Sequence, residues 1–117
     1  YGAGMRQVGL LAAAGHYALD HNIAPLTQDH RRAKEIALAL NAVVPSVIDP
    51  ATVQTNIVGL DLAELNITAA ELAARCKEEG LLIGALGPKY ARLVTHLDID
   101  DAGTAYAIDV LKRALVA

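Results

Sequence analysis

The chain has 117 residues, of which 54% are hydrophobic and 20% charged, and its formal net charge is −3. This length suits one folded domain, and so apolar a composition excludes a disordered chain. Both signs of charge are spread along the sequence, so we expect no nucleic-acid or membrane partner, since either needs a basic patch or an apolar stretch of ~20 residues.

Cysteine content and the first residue give two further expectations. Cys76 is the only cysteine, which rules out an internal disulfide and favours a reducing, cytoplasmic location. The chain begins with Tyr1 rather than Met and shows no signal peptide. We therefore expect that residues preceding Tyr1 belong to the natural protein.

Two helices are predicted in the first third of the chain. After a flexible lead-in, apolar residues recur at three- and four-residue steps over Met5–Asp20, which indicates a helix. Its run of alanines would let another backbone approach closely. Asn22–Pro25 breaks the pattern, and a second helix is predicted over Leu26–Asn41, with one apolar and one charged face.

The middle of the chain predicts two strands and a helix. Val43–Asp49 is predicted as a short strand at a sheet edge, because a proline interrupts it. Thr52–Asp61 is rich in β-branched residues and is predicted as a second strand. Thr68 and Glu71 form a capping-box sequence, so a third helix begins there and ends at Gly80.

The C-terminal third predicts a hairpin and a last helix. Leu81–Ala85 and Arg92–Leu97 are apolar runs on either side of a Gly-Pro turn. Acidic residues from Asp98 onward suit the start of a helix over Asp101–Leu115. The fold class is therefore α+β, with a small, mainly antiparallel sheet and helices packed on one face.

Most chemistry-bearing residues lack a pattern typical of a site. The histidines His16, His21, His30 and His96 show no spacing typical of a metal site, so we expect no metal. Ser46 lacks the glycine-flanked turn that exposes a nucleophile. Cys76 lies between two basic residues, but a half-buried structural role is the simpler interpretation.

Two arginines are candidates for anion binding. Arg6 follows glycines at the start of a helix, where backbone N–H groups and a guanidinium can bind an anion. Arg92 opens an apolar strand, where its guanidinium could grip a carboxylate with two parallel hydrogen bonds. The residues alone leave open that Arg92 simply pairs with Asp98 or Asp100.

Four segments together resemble the L-threonine aldolases, which are fold type I, aminotransferase-like pyridoxal-phosphate enzymes. They are Gly4-Met5-Arg6-Gln7, Val53 to Val58, the Thr68–Glu71 helix start and Arg92 to Asp98. The resemblance covers almost the whole chain. It departs from the family pattern at Gly2-Ala3-Gly4, where that family usually has three consecutive glycines.

The resemblance implies a lyase that cleaves threonine or allo-threonine to glycine and an aldehyde with pyridoxal 5′-phosphate. By that resemblance Arg92 binds the substrate carboxylate and Arg6 contributes to the cofactor phosphate. The lysine that holds the cofactor is expected upstream of this chain. Residues 1–24 would form an interdomain helix and residues 25–117 a C-terminal small domain, with the N-terminal large domain as partner in a homotetramer.

Two rival interpretations remain open. The chain could be a non-catalytic α+β module that binds a small anion or another protein, or part of another fold type I enzyme. The Met5–Asp20 helix separates the first rival from the aldolase hypothesis. An interdomain helix would expose apolar residues in this chain, whereas an autonomous module would be a soluble, well-folded monomer.

Overall fold

A computed structural model describes residues 4–116 and shows four helices and three strands over this range. The helices are α1 (Val8–His21), α2 (Leu26–Asn41), α3 (Ala69–Glu78) and α4 (Asp101–Val116). The strands are β1 (Ile57–Asp61), β2 (Gly84–Gly87) and β3 (Tyr90–Val94). Apart from Gly4, the lead-in expected before the first helix lies outside the described residues.

The sheet has the order β1-β3-β2, and both pairs of neighbouring strands are antiparallel. On β1 and β3 the buried side chains alternate with open ones, and the buried ones are Val58, Leu60, Ala91 and Leu93. Helices α2 and α3 pack on this apolar face, and α4 packs against both of these helices. The predicted α+β class, with a small antiparallel sheet covered by helices, is confirmed.

Local sequence explains where α3 begins and ends. Thr68 Oγ1 accepts a hydrogen bond from the Glu71 N–H, and the Glu71 carboxylate accepts one from the Thr68 N–H at 2.7 Å. This is the predicted capping box, which satisfies N–H groups that have no partner inside the helix. Gly80, with φ of 78°, ends the helix in the left-handed conformation that glycine adopts at low cost.

The predicted strand over Val43–Asp49 is wrong. A 3₁₀ turn, Pro45–Val47, forms in this region instead, and a second 3₁₀ turn, Pro50–Thr52, follows it. Each begins with a proline, whose fixed φ suits the first position of a helical turn and whose missing N–H cannot serve a sheet ladder. Thr52 is the last residue of the second turn, and the strand predicted from Thr52 begins only at Ile57.

The hairpin is confirmed, but its strands are shifted. We expected strands over Leu81–Ala85 and Arg92–Leu97, whereas β2 begins three residues later and β3 two residues earlier. Arg92 therefore lies in the middle of β3 rather than at its start.

Helix α1 lies apart from the rest of the fold. None of its residues is buried, and it has no extensive contact with any other helix or strand of residues 4–116. Leu10 and Leu19 are 78% and 65% exposed. Apolar residues lie on all sides of this helix, a pattern typical of buried helices. No helix within residues 4–116 is long and apolar enough to cross a membrane.

Candidate functional site

The candidate site lies on the face of the sheet that the helices leave open. Successive side chains of a strand point to opposite faces, so the burial of Ala91 and Leu93 places Arg92 on the open face. Tyr90 and Val94 share that face with it. A long cationic side chain thus rises from the middle strand of the sheet.

Both residues opposite Arg92 in the neighbouring strands are glycines. Gly59 of β1 and Gly84 of β2 are its partners in the two antiparallel registers. Directly opposed residues ordinarily have Cβ atoms about 5 Å apart. Because Gly84 carries no side chain, space remains beside the Arg92 stem on the β2 side, whereas on the β1 side the Tyr90 ring lies over Gly59.

Arg92 makes no ion pair or side-chain hydrogen bond with another described residue. Neither of the two acids suggested as its partners pairs with it. The Asp98 carboxylate lies 3.7 Å from His96 Nδ1. Asp100 accepts a hydrogen bond from the Gly103 N–H at 2.7 Å, at the start of α4. Pairing of Arg92 with Asp98 or Asp100 is therefore not what the fold shows.

The segment after Arg92 is anchored firmly. Thr95 is 2% exposed, and its hydroxyl donates to the Asp29 carbonyl of α2 at 2.7 Å. Its N–H donates to the Asn56 carbonyl, and the Asn56 side-chain amide donates back to the Thr95 carbonyl at 2.8 Å. These bonds fix the end of β3 to both β1 and α2. Arg92 is thus carried by a strand with little freedom to shift.

A groove of about 590 Å³ lies beside the open face, next to the edge strand β1. Gly59, Asp61 and Tyr90 form its wall on the sheet side. The 3₁₀ turns and the segment through Thr55 form the opposite wall. Residues that were predicted to form strands therefore line a concave surface together with Gly59, the residue opposite Arg92.

Arg6 is exposed in a turn just before α1. Gln7, its neighbour, has φ of 51°, an uncommon conformation for a residue other than glycine. Helix α1 does not pack against the sheet. The described residues therefore do not unite Arg6 and Arg92 in one site, and a cofactor role for Arg6 stays a prediction.

The other candidates do not form a site within residues 4–116. No cluster of three or more potential metal ligands occurs among them. Ser46 is exposed in a 3₁₀ turn at the rim of the groove. Burial raises the pKa of the Cys76 thiol, which keeps it protonated and makes it a poor nucleophile.

The ammonium groups of two lysines donate hydrogen bonds to backbone carbonyls. Lys34 Nζ donates to the Pro50 carbonyl at 2.5 Å. Lys89 Nζ donates to the carbonyls of Leu65 at 2.5 Å and Ile67 at 3.0 Å. Lys77 and Lys112 lie on α3 and α4, which pack on the covered side of the sheet. Within residues 4–116, no lysine reaches the open face beside Arg92.

Sequence reasoning missed Gly59, Gly84 and Tyr90 as parts of the site. The missing information was the strand register, since only pairing reveals that both glycines oppose Arg92. Placing the start of β3 at Tyr90 would have put Tyr90 and Arg92 on one face by their two-residue spacing.

The family model that matches this chain is that of the beta-eliminating lyases, over residues 1–63. The chain is 34% identical to the probable low-specificity L-threonine aldolase 2 of Arabidopsis thaliana over 96% of its own length and 32% of that relative. It is 37% identical to the probable low-specificity L-threonine aldolase of Schizosaccharomyces pombe over 98% of its length and 27% of that relative. Identity to the low specificity L-threonine aldolase of Escherichia coli K12 is 42%, over 84% of this chain and 27% of the relative.

The chain spans about a third of the length of the curated relatives that it matches. The resemblance to threonine aldolases that its motifs suggested is confirmed along nearly all of its residues. More than half of the chain also matches one family model, and it belongs to the beta-eliminating lyase family.

Proposed function

We propose that this chain is the C-terminal part of a pyridoxal-phosphate-dependent threonine aldolase. The complete protein would cleave threonine or allo-threonine to glycine and an aldehyde by a retro-aldol reaction. In this account the chain supplies the carboxylate-binding side of the active site, and the preceding part of the protein supplies the reactive amine. The similarity to relatives named as low-specificity L-threonine aldolases supports this assignment.

The observation that carries the proposal is the unpaired guanidinium of Arg92 on the open face. A substrate carboxylate can accept two parallel N–H donations from it, and Gly84 on the β2 side leaves room for that approach. Such charge-assisted hydrogen bonds contribute about 1.5–3 kcal/mol each. An arginine already paired with an acid would not offer this binding energy to a substrate.

Arg92 would orient the substrate as well as bind it. By holding the carboxylate still, Arg92 would fix the orientation in which the bond between Cα and Cβ of the substrate is presented for cleavage. A misplacement of about 1 Å can cost about 100-fold in rate. The Thr95 and Asn56 hydrogen bonds hold the strand that carries Arg92 and so serve this positioning.

Pyridoxal phosphate fits this face only if another part of the protein holds it. When bound, the cofactor accepts the electrons of the broken carbon–carbon bond. The lysines of the described residues face carbonyls or the helical side of the fold. We therefore place the cofactor-binding lysine in the N-terminal large domain, which faces the open side of the sheet.

Helix α1 supports the division into two parts. As an interdomain helix over residues 1–24, it would bury its apolar surface against the large domain, and Arg6 before it would approach the cofactor phosphate. The exposed leucines of α1 favour this arrangement over an autonomous binding module, which would keep such residues in its own core. We also propose a cytoplasmic homotetramer, whose subunit interface would bring Arg6 to a neighbouring site.

The test uses the complete protein with pyridoxal phosphate, with threonine or allo-threonine as substrate. We expect glycine and acetaldehyde in equal amounts. Arg92→Ala should raise KM and lower kcat together, because both binding and orientation depend on the guanidinium. Arg31→Ala is the matched control, since Arg31 is an exposed arginine of α2 that forms surface ion pairs. Unchanged kinetics for Arg92→Ala would overturn the proposal.

A further inference from the structure

A second polar side chain lies beside Arg92 on the open face. Tyr90 precedes it by two residues in β3, so both side chains leave the strand on the same side. Tyr90 is 45% exposed and contributes nothing to the buried core. Its ring lines the groove next to β1.

The Tyr90 ring lies over the glycine that opposes Arg92. A Cβ built on Gly59 would meet Tyr90 Oη at 2.2 Å, Cζ at 2.9 Å and Cε2 at 3.2 Å. The phenol therefore fills the space that any other residue at position 59 would occupy. Since Gly59 is directly opposite Arg92, the hydroxyl group lies beside the base of the Arg92 side chain.

The Tyr90 hydroxyl has no hydrogen-bond partner among the described residues. Asp61 is its neighbour across the strands, but that carboxylate accepts the Ala63 N–H at 2.9 Å. By contrast, the hydroxyl of Tyr106 donates to the Glu79 carbonyl at 2.6 Å. Tyr90 thus keeps a hydroxyl donor available on the face that Arg92 occupies.

We propose that Tyr90 is a second substrate-binding residue, whose hydroxyl donates a hydrogen bond to the carboxylate that Arg92 holds. This inference rests on the proposed function and adds a donor to the same site. Gly59 is the residue that makes it possible, because a side chain there would displace the phenol. A carboxylate oxygen has lone pairs for such a third donor in addition to the two from the guanidinium.

The test compares two ways of removing the hydroxyl from this position. In the complete protein loaded with cofactor, calorimetry measures the binding of glycine, and steady-state kinetics measure KM for threonine. Tyr90→Phe removes the hydroxyl and should weaken glycine binding about tenfold. Gly59→Ala should weaken it similarly by displacing the phenol, since the contacted atoms are at the mobile end of the ring.

The double variant Tyr90→Phe/Gly59→Ala makes the test specific. If Gly59→Ala acts through the hydroxyl, it adds no further loss once the hydroxyl is absent, so the two effects are not additive. Tyr106→Phe is the control for the same chemical change and should leave glycine binding unchanged. Circular dichroism of each variant establishes that the fold is retained.

The outcomes separate this inference from the proposed function. If Arg92→Ala weakens glycine binding but Tyr90→Phe binds as tightly as wild type, Tyr90 is not a ligand to the carboxylate and the proposed function stands. If additive losses appear in the double variant, Gly59 acts independently of the phenol and the inference is overturned. If Arg92→Ala itself binds glycine normally, the proposed function has failed.

Discussion

Lys89 should stabilise the fold rather than take part in catalysis. Its ammonium group donates to the carbonyls of Leu65 and Ile67, so it fastens the loop before α3 to the turn that leads into β3. Two backbone bonds join the same segments, from the Leu62 N–H to the Lys89 carbonyl and from the Ala69 N–H to the Pro88 carbonyl. Lys89→Met keeps much of the side-chain length but removes both donations from the ammonium.

The expected loss of stability in Lys89→Met follows from the two hydrogen bonds that the ammonium group donates. A hydrogen bond to a charged group contributes about 1.5–3 kcal/mol, and a neutral one about 0.5–1.5 kcal/mol. Lys89 is only partly buried, and water can replace some of what the carbonyls lose. We therefore expect Lys89→Met to lower the free energy of unfolding by about 2 kcal/mol in total, a large fraction of a typical domain stability.

Urea denaturation followed by far-ultraviolet circular dichroism measures this cost. With a typical urea dependence of about 1–3 kcal/mol per molar, the midpoint should fall by roughly 1 M. Lys77→Met is the matched control, because Lys77 is exposed on α3, and its midpoint should change little. Equal midpoints for the two variants would refute the reasoning. Loss of cofactor binding in Lys89→Met with unchanged stability would instead mark Lys89 as the reactive amine.

Three further predictions concern α3, the thiol and α1. Thr68→Ala should cost about 1 kcal/mol by removing the capping box, measured by the same denaturation. The hydrogen bonds from Thr68 lower the pKa of Glu71, so its stabilising effect is present above the ordinary carboxyl pKa and is lost as the pH falls through the lowered one. The urea midpoint of the wild-type chain should therefore fall more between pH 6 and pH 3 than that of Thr68→Ala. Equal falls in the two midpoints would contradict this. The Cys76 thiol, which is buried and has a raised pKa, should not react with iodoacetamide until the chain unfolds. Rapid alkylation of Cys76 in the folded chain, detected by mass spectrometry, would contradict its burial. Leu10 is exposed on α1, so Leu10→Gln should change the free energy of unfolding of the chain by no more than about 0.5 kcal/mol. The same variant should bind the N-terminal part more weakly in a pull-down. Recovery of as much N-terminal part as with wild type would argue against an interdomain α1.

Helix periodicity allowed α2 to be predicted to the residue, because one face of Leu26–Asn41 is consistently apolar and its ends are marked. The strands were harder. The apolar residues around Pro45 were assigned to a strand, but a proline at the first position of a 3₁₀ turn outweighed their β propensity. Apolar content alone does not separate a short buried turn from a strand, since both bury residues such as Val47 and Val53.

The site was predicted in part. The motif from Arg92 to Asp98 pointed to the guanidinium, but whether it was paired depended on the folded positions of Asp98 and Asp100. Likewise, the glycines beside Arg92 are distant in sequence and meet it only through strand register. Such features depend on pairing between residues that are far apart in the sequence, and local sequence patterns do not show which residues pair.

The position of the substrate carboxylate in the complete protein is the most direct test of this account. A crystal structure with pyridoxal phosphate and glycine would measure the distances from the Arg92 guanidinium nitrogens to the two carboxylate oxygens. We predict two contacts of about 2.7–2.9 Å. A carboxylate bound by another cation, with Arg92 in solvent or paired with an acid, would contradict it.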